Sequence, residues 1–271
     1  MNTTHQLTRL AAITRRDWQI ERSYRLRYPV RIFQVAITMA ILYHVSQLVT
    51  DAPELQAFGG DYFDFAVVGL AVVSISQLGI STFNANILRE QSLGTMEVLL
   101  STPTPIWVWL AGSFAFPMIL TAINVVMYVG IGIGVMGNGL SIGGLLMALV
   151  VLVLTLLSFC AFGIAGASFV LLLKRGDPLA GPLALFTSIV SGALFPVSTM
   201  PAPFVWLAHA FPAFYGINGL RTALLTDAAP TDVIPDILML MAFDVVLLPA
   251  SLLLFNRALR AARTAGTLAN Y

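Results

Sequence analysis

Charge is scarce in this sequence: 10% of its 271 residues are Asp, Glu, Lys or Arg, against about 25% in an ordinary soluble domain. So poor a supply of charge excludes a soluble globule of this size. Lys174 is the only lysine. With 14 Lys and Arg against 13 Asp and Glu, neither a basic nucleic-acid face nor an acidic disordered tail finds support, and no nucleic-acid partner is expected. One cysteine, Cys160, allows no internal disulfide and no cysteine-based zinc site. His5, His44 and His209 stand too far apart for metal-ligand spacing. A G-x-x-x-x-G-K-[ST] loop is missing too, so the chain cannot cradle ATP phosphates in that way.

What abounds is apolar sequence, 58% of the residues. The hydrocarbon core of a bilayer is about 30 Å thick and takes roughly 20 apolar residues of helix to cross. Six such runs occur, at residues 30–49, 65–83, 106–136, 145–173, 179–197 and 233–255. None alternates with the two-residue period of a membrane barrel strand, so the expected fold class is an all-α membrane protein with six transmembrane helices. The fifth run is punctuated by Gly181, Pro182, Gly192 and Pro196.

The cations set the orientation. Arg9, Arg15, Arg16, Arg22, Arg25, Arg27 and Arg31 precede or open the first run, Arg89 lies between the second and third, Lys174 and Arg175 between the fourth and fifth, and Arg257, Arg260 and Arg263 after the sixth. All of these fall on one side. Cytoplasmic loops hold the excess of Lys and Arg, so both termini are predicted to face the cytoplasm of a multi-pass protein of the cell membrane. Arg221 stands alone on the other side, among Asp51, Glu54, Asp61, Asp227, Asp232 and Asp236. The Arg-rich start lacks the apolar core of roughly 7 to 15 residues that a cleavable signal needs, so the first run is expected to serve as an uncleaved one. No folded aqueous domain is foreseen, and chemistry that needs one must come from a partner.

Residues 7–28 place Leu7, Leu10, Ile13, Trp18, Ile20, Tyr24 and Tyr28 in one broad sector at a helical pitch, with Arg9, Arg16 and Arg27 opposite. This predicts an interfacial helix that either anchors on anionic headgroups or braces the loops beside it. Residues 89–105 read R-E-Q-S-L-G-T-M-E-V-L-L-S-T-P-T-P. Gly94 can bend the backbone, Thr95 can cap a short helix, and Glu97 suits its positive end. Met96, Leu99 and Leu100 fall on one stripe, and Pro103 and Pro105 stop the helix. By geometry alone this short amphipathic helix either docks on its own membrane domain or meets a partner.

The run E-x-x-x-G-T-x-E-x-L-L-x-T-P, carried by Glu90, Gly94, Thr95, Glu97, Leu99, Leu100, Thr102 and Pro103, resembles the signature of type-2 ABC transporter permeases, the membrane subunits of drug, polysaccharide and lipid exporters. Ser191, Gly192, Phe195, Pro196, Pro201, Pro212 and Arg221 are similar to a second pattern of that family, S-G-x-x-F-P, then a Pro, then an aromatic-rich segment ending in Arg. Phe211 precedes Pro212 where the family often has Asn. The resemblance covers nearly the whole chain. It implies that the loop between the second and third runs is a coupling helix seated on a separate ATP-hydrolysing subunit. Met96, Leu99 and Leu100 are then contact anchors, and Arg89, Glu90 and Glu97 a polar frame that also ties the loop to the amino-terminal helix.

The resemblance further implies two ABC ATPase subunits that bind the ATP and Mg, no cofactor on this chain, a second permease, identical or related, and short re-entrant helices before the sixth run. The expected plan is a cytoplasmic amphipathic segment at 1–29, a permease domain at 30–256 with its coupling loop at 84–105 and external region at 198–232, and a cytoplasmic tail at 257–271. The expected function is ATP-driven export of a hydrophobic or amphipathic substrate, with a polysaccharide or glycolipid as the alternative cargo.

Weaker signals complete the list of candidates. Gln77, Asn124 and Asp244 are polar groups inside apolar runs, where such groups mark pathways or buried partners. Phe195, Pro196 and Arg221 are candidates for an external gate. Asp244 equally suits structural pairing or a neutral protonated form, and Arg221 suits either snorkelling to headgroups or pairing with an acid such as Asp227. Gly163 with Ala167, and Gly130 with Gly134, predict close helix packing. Gly132, Gly134 and Gly137 satisfy G-x-G-x-x-G by chance, because no strand-to-helix context surrounds them. An ion-driven secondary carrier is the rival from another class. It predicts internal repeats and several midplane ionisable groups, whereas no repeat is evident and Asp244 is the single such acid.

Overall fold

The computed structural model describes residues 11, 12, 14–16, 18, 19, 27–49, 53–58, 61–94, 106–136, 142–173, 180–226 and 229–264. Among them every regular element is helical. The long helices are α1 (Arg27–Leu48), α2 (Tyr62–Ser92), α3 (Ile106–Met136) and α4 (Ile142–Leu173). Three short helices follow, α5 (Ala180–Val190), α6 (Ala202–His209) and α7 (Pro212–Leu225), and then the long α8 (Ile234–Thr264). Single 3-10 turns occupy Pro53–Phe58, Val197–Thr199 and Pro230–Val233.

Five of these helices are long and apolar enough to cross a membrane, and they correspond to the first, second, third, fourth and sixth apolar runs. The fifth run behaves differently. Its helix is only 11 residues long, about 16 Å at 1.5 Å per residue. It breaks at Ser191–Gly192, where Gly192 adopts a left-handed φ of 77°, and Pro196 keeps the chain extended afterwards. The four long helices other than α1 run 31 or 32 residues, about 46 Å, which exceeds a hydrocarbon core by about 15 Å. Large apolar side chains such as Phe33, Val126, Leu149 and Val245 face outward from α1, α3, α4 and α8, as lipid contact requires.

Helix α2 is the hub. Of its apolar stretch 72% is buried, against 17% for α1, α3 and α8. Asp61 starts it, the carboxylate accepting the Phe63 N–H at 2.8 Å. Gly94 ends it with a φ of 66°, while the Leu93 N–H donates to the Arg89 carbonyl. Against α4 it makes a close crossing: a Cβ on Gly163 would stand 2.0 Å from the Gly79 carbonyl oxygen. The Gly163 and Ala167 pair therefore serves packing within the chain.

Two apolar clusters fill the bundle at opposite ends. One joins Phe83, Ile87, Trp109, Phe114, Val170 and Phe255 at the Arg89 end. The other joins Val68, Val72, Val151, Ile217, Leu220 and Leu240 at the Arg221 end. Between α2 and α3 a proline defect is mended. Pro117 inside α3 has no N–H to give the Ser113 carbonyl, and the Asn86 amide of α2 donates to that oxygen at 3.3 Å instead.

Helices α6 and α7 form a hairpin whose α7 arm packs against α4. Ala213 packs with Phe159, Gly216 faces Thr155, Gly219 faces Val151, and Gly143 lies beside Pro230. As α7 advances from Ala213 to Gly219 α4 retreats from Phe159 to Val151, so the two run antiparallel over about 12 Å of α4. The turn joining α6 to α7 thus lies deep alongside the bundle, under an aromatic cluster of Phe162, Phe186 and Phe211.

Candidate functional site

At one end of α2, Glu90 is buried with a carboxylate oxygen 3.6 Å from the Arg16 guanidinium. Two residues on, the Trp18 ring meets Phe116 of α3 edge-on, with centroids 5.7 Å apart. The described amino-terminal residues therefore reach both the end of α2 at Glu90 and the flank of α3 at Phe116. The ion pair is half open to solvent on the Arg16 side, so it contributes at most about 1 kcal/mol and acts mainly by fixing position. Arg89 is exposed beside it, and its carbonyl accepts from Leu93 and from the Ser92 hydroxyl. Gly94 then turns the chain away. Thr95, Met96, Glu97, Leu99, Leu100, Thr102 and Pro103 lie outside the described residues, as does Asp227.

At the other end, Arg221 of α7 points inward. It is 4% exposed, which overturns the expectation that it snorkels to headgroups. Its guanidinium donates to the Gly192 carbonyl at 3.0 Å, to the Ala193 carbonyl at 2.9 Å, and to the Phe65 carbonyl from Nη2 at 2.9 Å and from Nε at 3.3 Å. Its Cζ lies 3.3 Å from the centroid of the Phe65 ring, a desolvated cation–π contact. The broken end of α5 leaves carbonyls without helical donors, and the planar fork of one arginine supplies them. The Ala193 carbonyl is pressed onto α2 so closely that a Cβ on Gly69 would be 2.0 Å from it. Pro196 and Arg221 line one cavity of about 370 Å³ together with Ser191, His209 and Asn218. Phe195 and Pro196 line a neighbouring one with Leu55 and Tyr62.

Gln77 and Asn124 also come together. They line a cleft of about 500 Å³ between α1, α2 and α3, with Arg31, Gln34, Ser81 and Tyr128. The Arg31 Nε–H donates to the Asn124 side-chain oxygen at 2.9 Å. Asp244 lies apart from both places, 7% exposed between α8 and α4, where it accepts the Ser158 hydroxyl proton at 2.5 Å. Ser158 is fully buried.

Over residues 29–253 the chain matches a family model described as ABC-2 family transporter protein. It belongs to the ABC-2 transporter family. No curated protein matches it. An ABC-2 permease is the multi-pass membrane subunit of an ABC transporter, whose partner is an ABC ATPase; it is not the ATPase itself.

Three contacts of this ABC-2 permease escaped the sequence. The Arg31 bond to Asn124 was hidden because Arg31 counted only as one of many cytoplasmic charges; its place inside the first apolar run was the available signal. The Phe65 platform under Arg221 lies 156 residues away in sequence, and no local pattern announces it. Ser158 is one hydroxyl in an apolar helix, a residue type that ordinarily bonds its own backbone there.

Proposed function

We propose that this ABC-2 permease exports a hydrophobic or amphipathic molecule, crossing the membrane six times with both termini in the cytosol and pairing with a second permease, identical or related. The fifth crossing consists of α5 continued by the irregular segment 191–199. Non-helical backbone persists at membrane depth only where protein or water covers its polar groups, and the Arg221 hydrogen bonds supply that cover. Helices α6 and α7 are the re-entrant hairpin, and Phe195, Pro196 and Arg221 belong to the outer gate. Two ABC ATPases, holding the ATP and Mg, grip residues 95–103 from the cytosol.

One observation carries this reading: a single helix links the two ends. Glu90 of α2 holds Arg16, and the carbonyl of Phe65 on the same helix receives Arg221. The two points are about 37 Å apart along a continuous hydrogen-bonded rod. A displacement imposed at the Gly94 turn by a closing ATPase pair therefore reaches the outer segment without a flexible joint between.

The test is purification of the chain from its native host, followed by export assays in proteoliposomes. An ATPase is expected to accompany it. Glu97→Ala and Leu100→Asp are expected to loosen that association and abolish ATP-driven export while leaving membrane insertion intact. Unchanged export in both variants would remove the coupling role, and uphill transport by the permease without any ATPase would overturn the reading altogether.

A further inference from the structure

The cavity of about 370 Å³ beside Arg221 is walled by the broken segment after α5, by α6 and by α7, and its polar groups share one sense. His209 Nδ1 lies 2.7 Å from the Val205 carbonyl oxygen. A carbonyl only accepts, so Nδ1 carries the proton and Nε2 of the neutral ring is an acceptor. Asn218 is fixed in the same way. Its Nδ2 donates to the Asp236 carboxylate at 2.8 Å, which sets the orientation of the amide and leaves Oδ1 to accept. Ser191 also lines the cavity. It is buried, and its hydroxyl has no hydrogen-bond partner in the protein, a state that costs about 1–3 kcal/mol. The Arg221 guanidinium is committed to the Gly192, Ala193 and Phe65 carbonyls. Apolar surface completes the wall, with Pro196, Val205 and Ile217 beside Phe214, whose ring packs on His209 at 4.3 Å.

We propose that this cavity binds an uncharged molecule with a flat apolar body and two O–H or N–H donors along one edge. The donors go to His209 Nε2 and Asn218 Oδ1, the Ser191 hydroxyl closes on the same edge, and the body lies against Phe214 and Pro196. Its volume falls in the range of small-molecule sites, which likewise join an apolar lining to a few placed polar groups. Charge is selected against from both sides. A cationic guest meets the Arg221 charge and, among the described residues that line the cavity, no carboxylate; an anionic guest meets the lone pairs of His209 and Asn218. A molecule held there bridges the broken segment and the α6–α7 hairpin. The site rests on the proposed membrane topology only for the side from which the guest enters.

The test is protection of a thiol at the cavity, using the intact permease in phosphatidylcholine nanodiscs with no ATP and no ATPase, so that its outcome is separate from any failure of ATP-driven export. Ser198→Cys, at an exposed lining position, in a Cys160→Ser background gives a single thiol. Its reaction with a methanethiosulfonate reagent is followed at about pH 8, which favours neutral imidazole. The probes are resorcinol, meta-phenylenediamine, resorcinol dimethyl ether and benzamidinium. The first two are expected to slow labelling saturably, and the one that does so at lower concentration assigns the guest's donors to O–H or N–H. The ether, which keeps the body without donors, and the cation are expected to need at least about tenfold more. His209→Phe is expected to raise the protecting concentration of resorcinol about fivefold to tenfold, and His209→Gln, which restores an acceptor, to raise it less. Asn218→Leu combined with Asp236→Leu, which removes both halves of their bond, should act like His209→Phe. Ser191→Ala should weaken protection while leaving the unfolding midpoint unchanged or raised, because the empty protein loses only an unpartnered hydroxyl. Equal protection by resorcinol and its dimethyl ether, no protection by any probe, or wild-type protection in His209→Phe overturns the site. A lowered midpoint in Ser191→Ala with wild-type protection overturns the part given to Ser191.

Discussion

Replacing Arg221 by leucine tests whether the broken fifth run is held by one side chain. The volume is roughly kept and the fork is lost. The Gly192 and Ala193 carbonyls, both in buried backbone, then face apolar surroundings without those donors, at about 1–3 kcal/mol each. The stacking of the guanidinium on Phe65 is worth about 2 kcal/mol when desolvated. Relief of the cost of burying the cation offsets part of this, and the net loss on breaking such a buried charged cluster is about 3–5 kcal/mol. For a chain of this size each kcal/mol moves the unfolding midpoint by about 2–4 °C, so a fall of about 10 °C is expected. Arg221→Lys keeps the charge but cannot fork, and should fall by about half as much. Intrinsic tryptophan fluorescence in a mild maltoside detergent reports the midpoint. A second readout is local: in a Cys160→Ser background, Ser191→Cys places a thiol at a buried position of the held segment, and maleimide labelling there should accelerate at least about tenfold on adding Arg221→Leu. A midpoint within about 2 °C of the parent, together with an unchanged labelling rate, would refute the claim that Arg221 pins the segment.

Three other changes probe the helix contacts. Gly163→Ala forces a methyl to within 2.0 Å of the Gly79 carbonyl oxygen, so α2 and α4 must separate at a cost of about 1–3 kcal/mol or more, seen as a lower unfolding midpoint; Gly130→Ala, with no atom near its added Cβ, should leave the midpoint unchanged. Asn86→Leu strips the donor from the Ser113 carbonyl and is expected to cost about 1–3 kcal/mol, whereas in a Pro117→Ala background, which restores the helical N–H, the same change should cost less. Asp244→Asn can still accept the Ser158 hydroxyl and should shift stability by less than about 1 kcal/mol, while Ser158→Ala strands the carboxyl and should cost more. Export lost in Asp244→Asn with stability retained would instead place Asp244 in the transport pathway.

The long helices were legible because lipid imposes one rule on every residue of a span: the run must be apolar for about 20 positions. That rule placed the long helices while missing their polar extensions, such as 84–92 of α2, which the apolar pattern does not cover. The fifth run satisfied composition yet broke, because Gly192 and Pro196 act through backbone conformation and leave mean hydropathy untouched. The separation of Arg221 from the other cations is visible in the sequence, but its partners are not, since a guanidinium that binds carbonyls leaves no complementary residue type there. Glu90 shows the opposite case. Its acid was marked as part of a polar frame, and the Arg16 partner could be named only once both helices were in place.

The deep turn between α6 and α7 shows how a departure from a family pattern is absorbed physically. An Asn before Pro212 would cap α7 with its side chain, and Phe211 offers no such cap. The need for one is nevertheless small. Pro212 opens the helix without an N–H to satisfy, the Phe214 N–H donates to the Phe211 carbonyl at 3.3 Å, and the Phe211 N–H donates to the Ala208 carbonyl at 3.0 Å. On the other side of the turn the Tyr215 hydroxyl donates to the His209 carbonyl at 3.0 Å, closing one of the orphan acceptors at the end of α6. With the backbone satisfied by these bonds, the Phe211 side chain is released for packing, stacked on Phe162 at 6.0 Å and tilted against Phe186 at 5.0 Å. Phe186 belongs to α5 and Phe162 to α4, so the substitution exchanges a local polar cap for an apolar tie between three elements. That exchange favours a hairpin seated among helices, where burial of an aromatic ring is worth more than one hydrogen bond to a helix terminus.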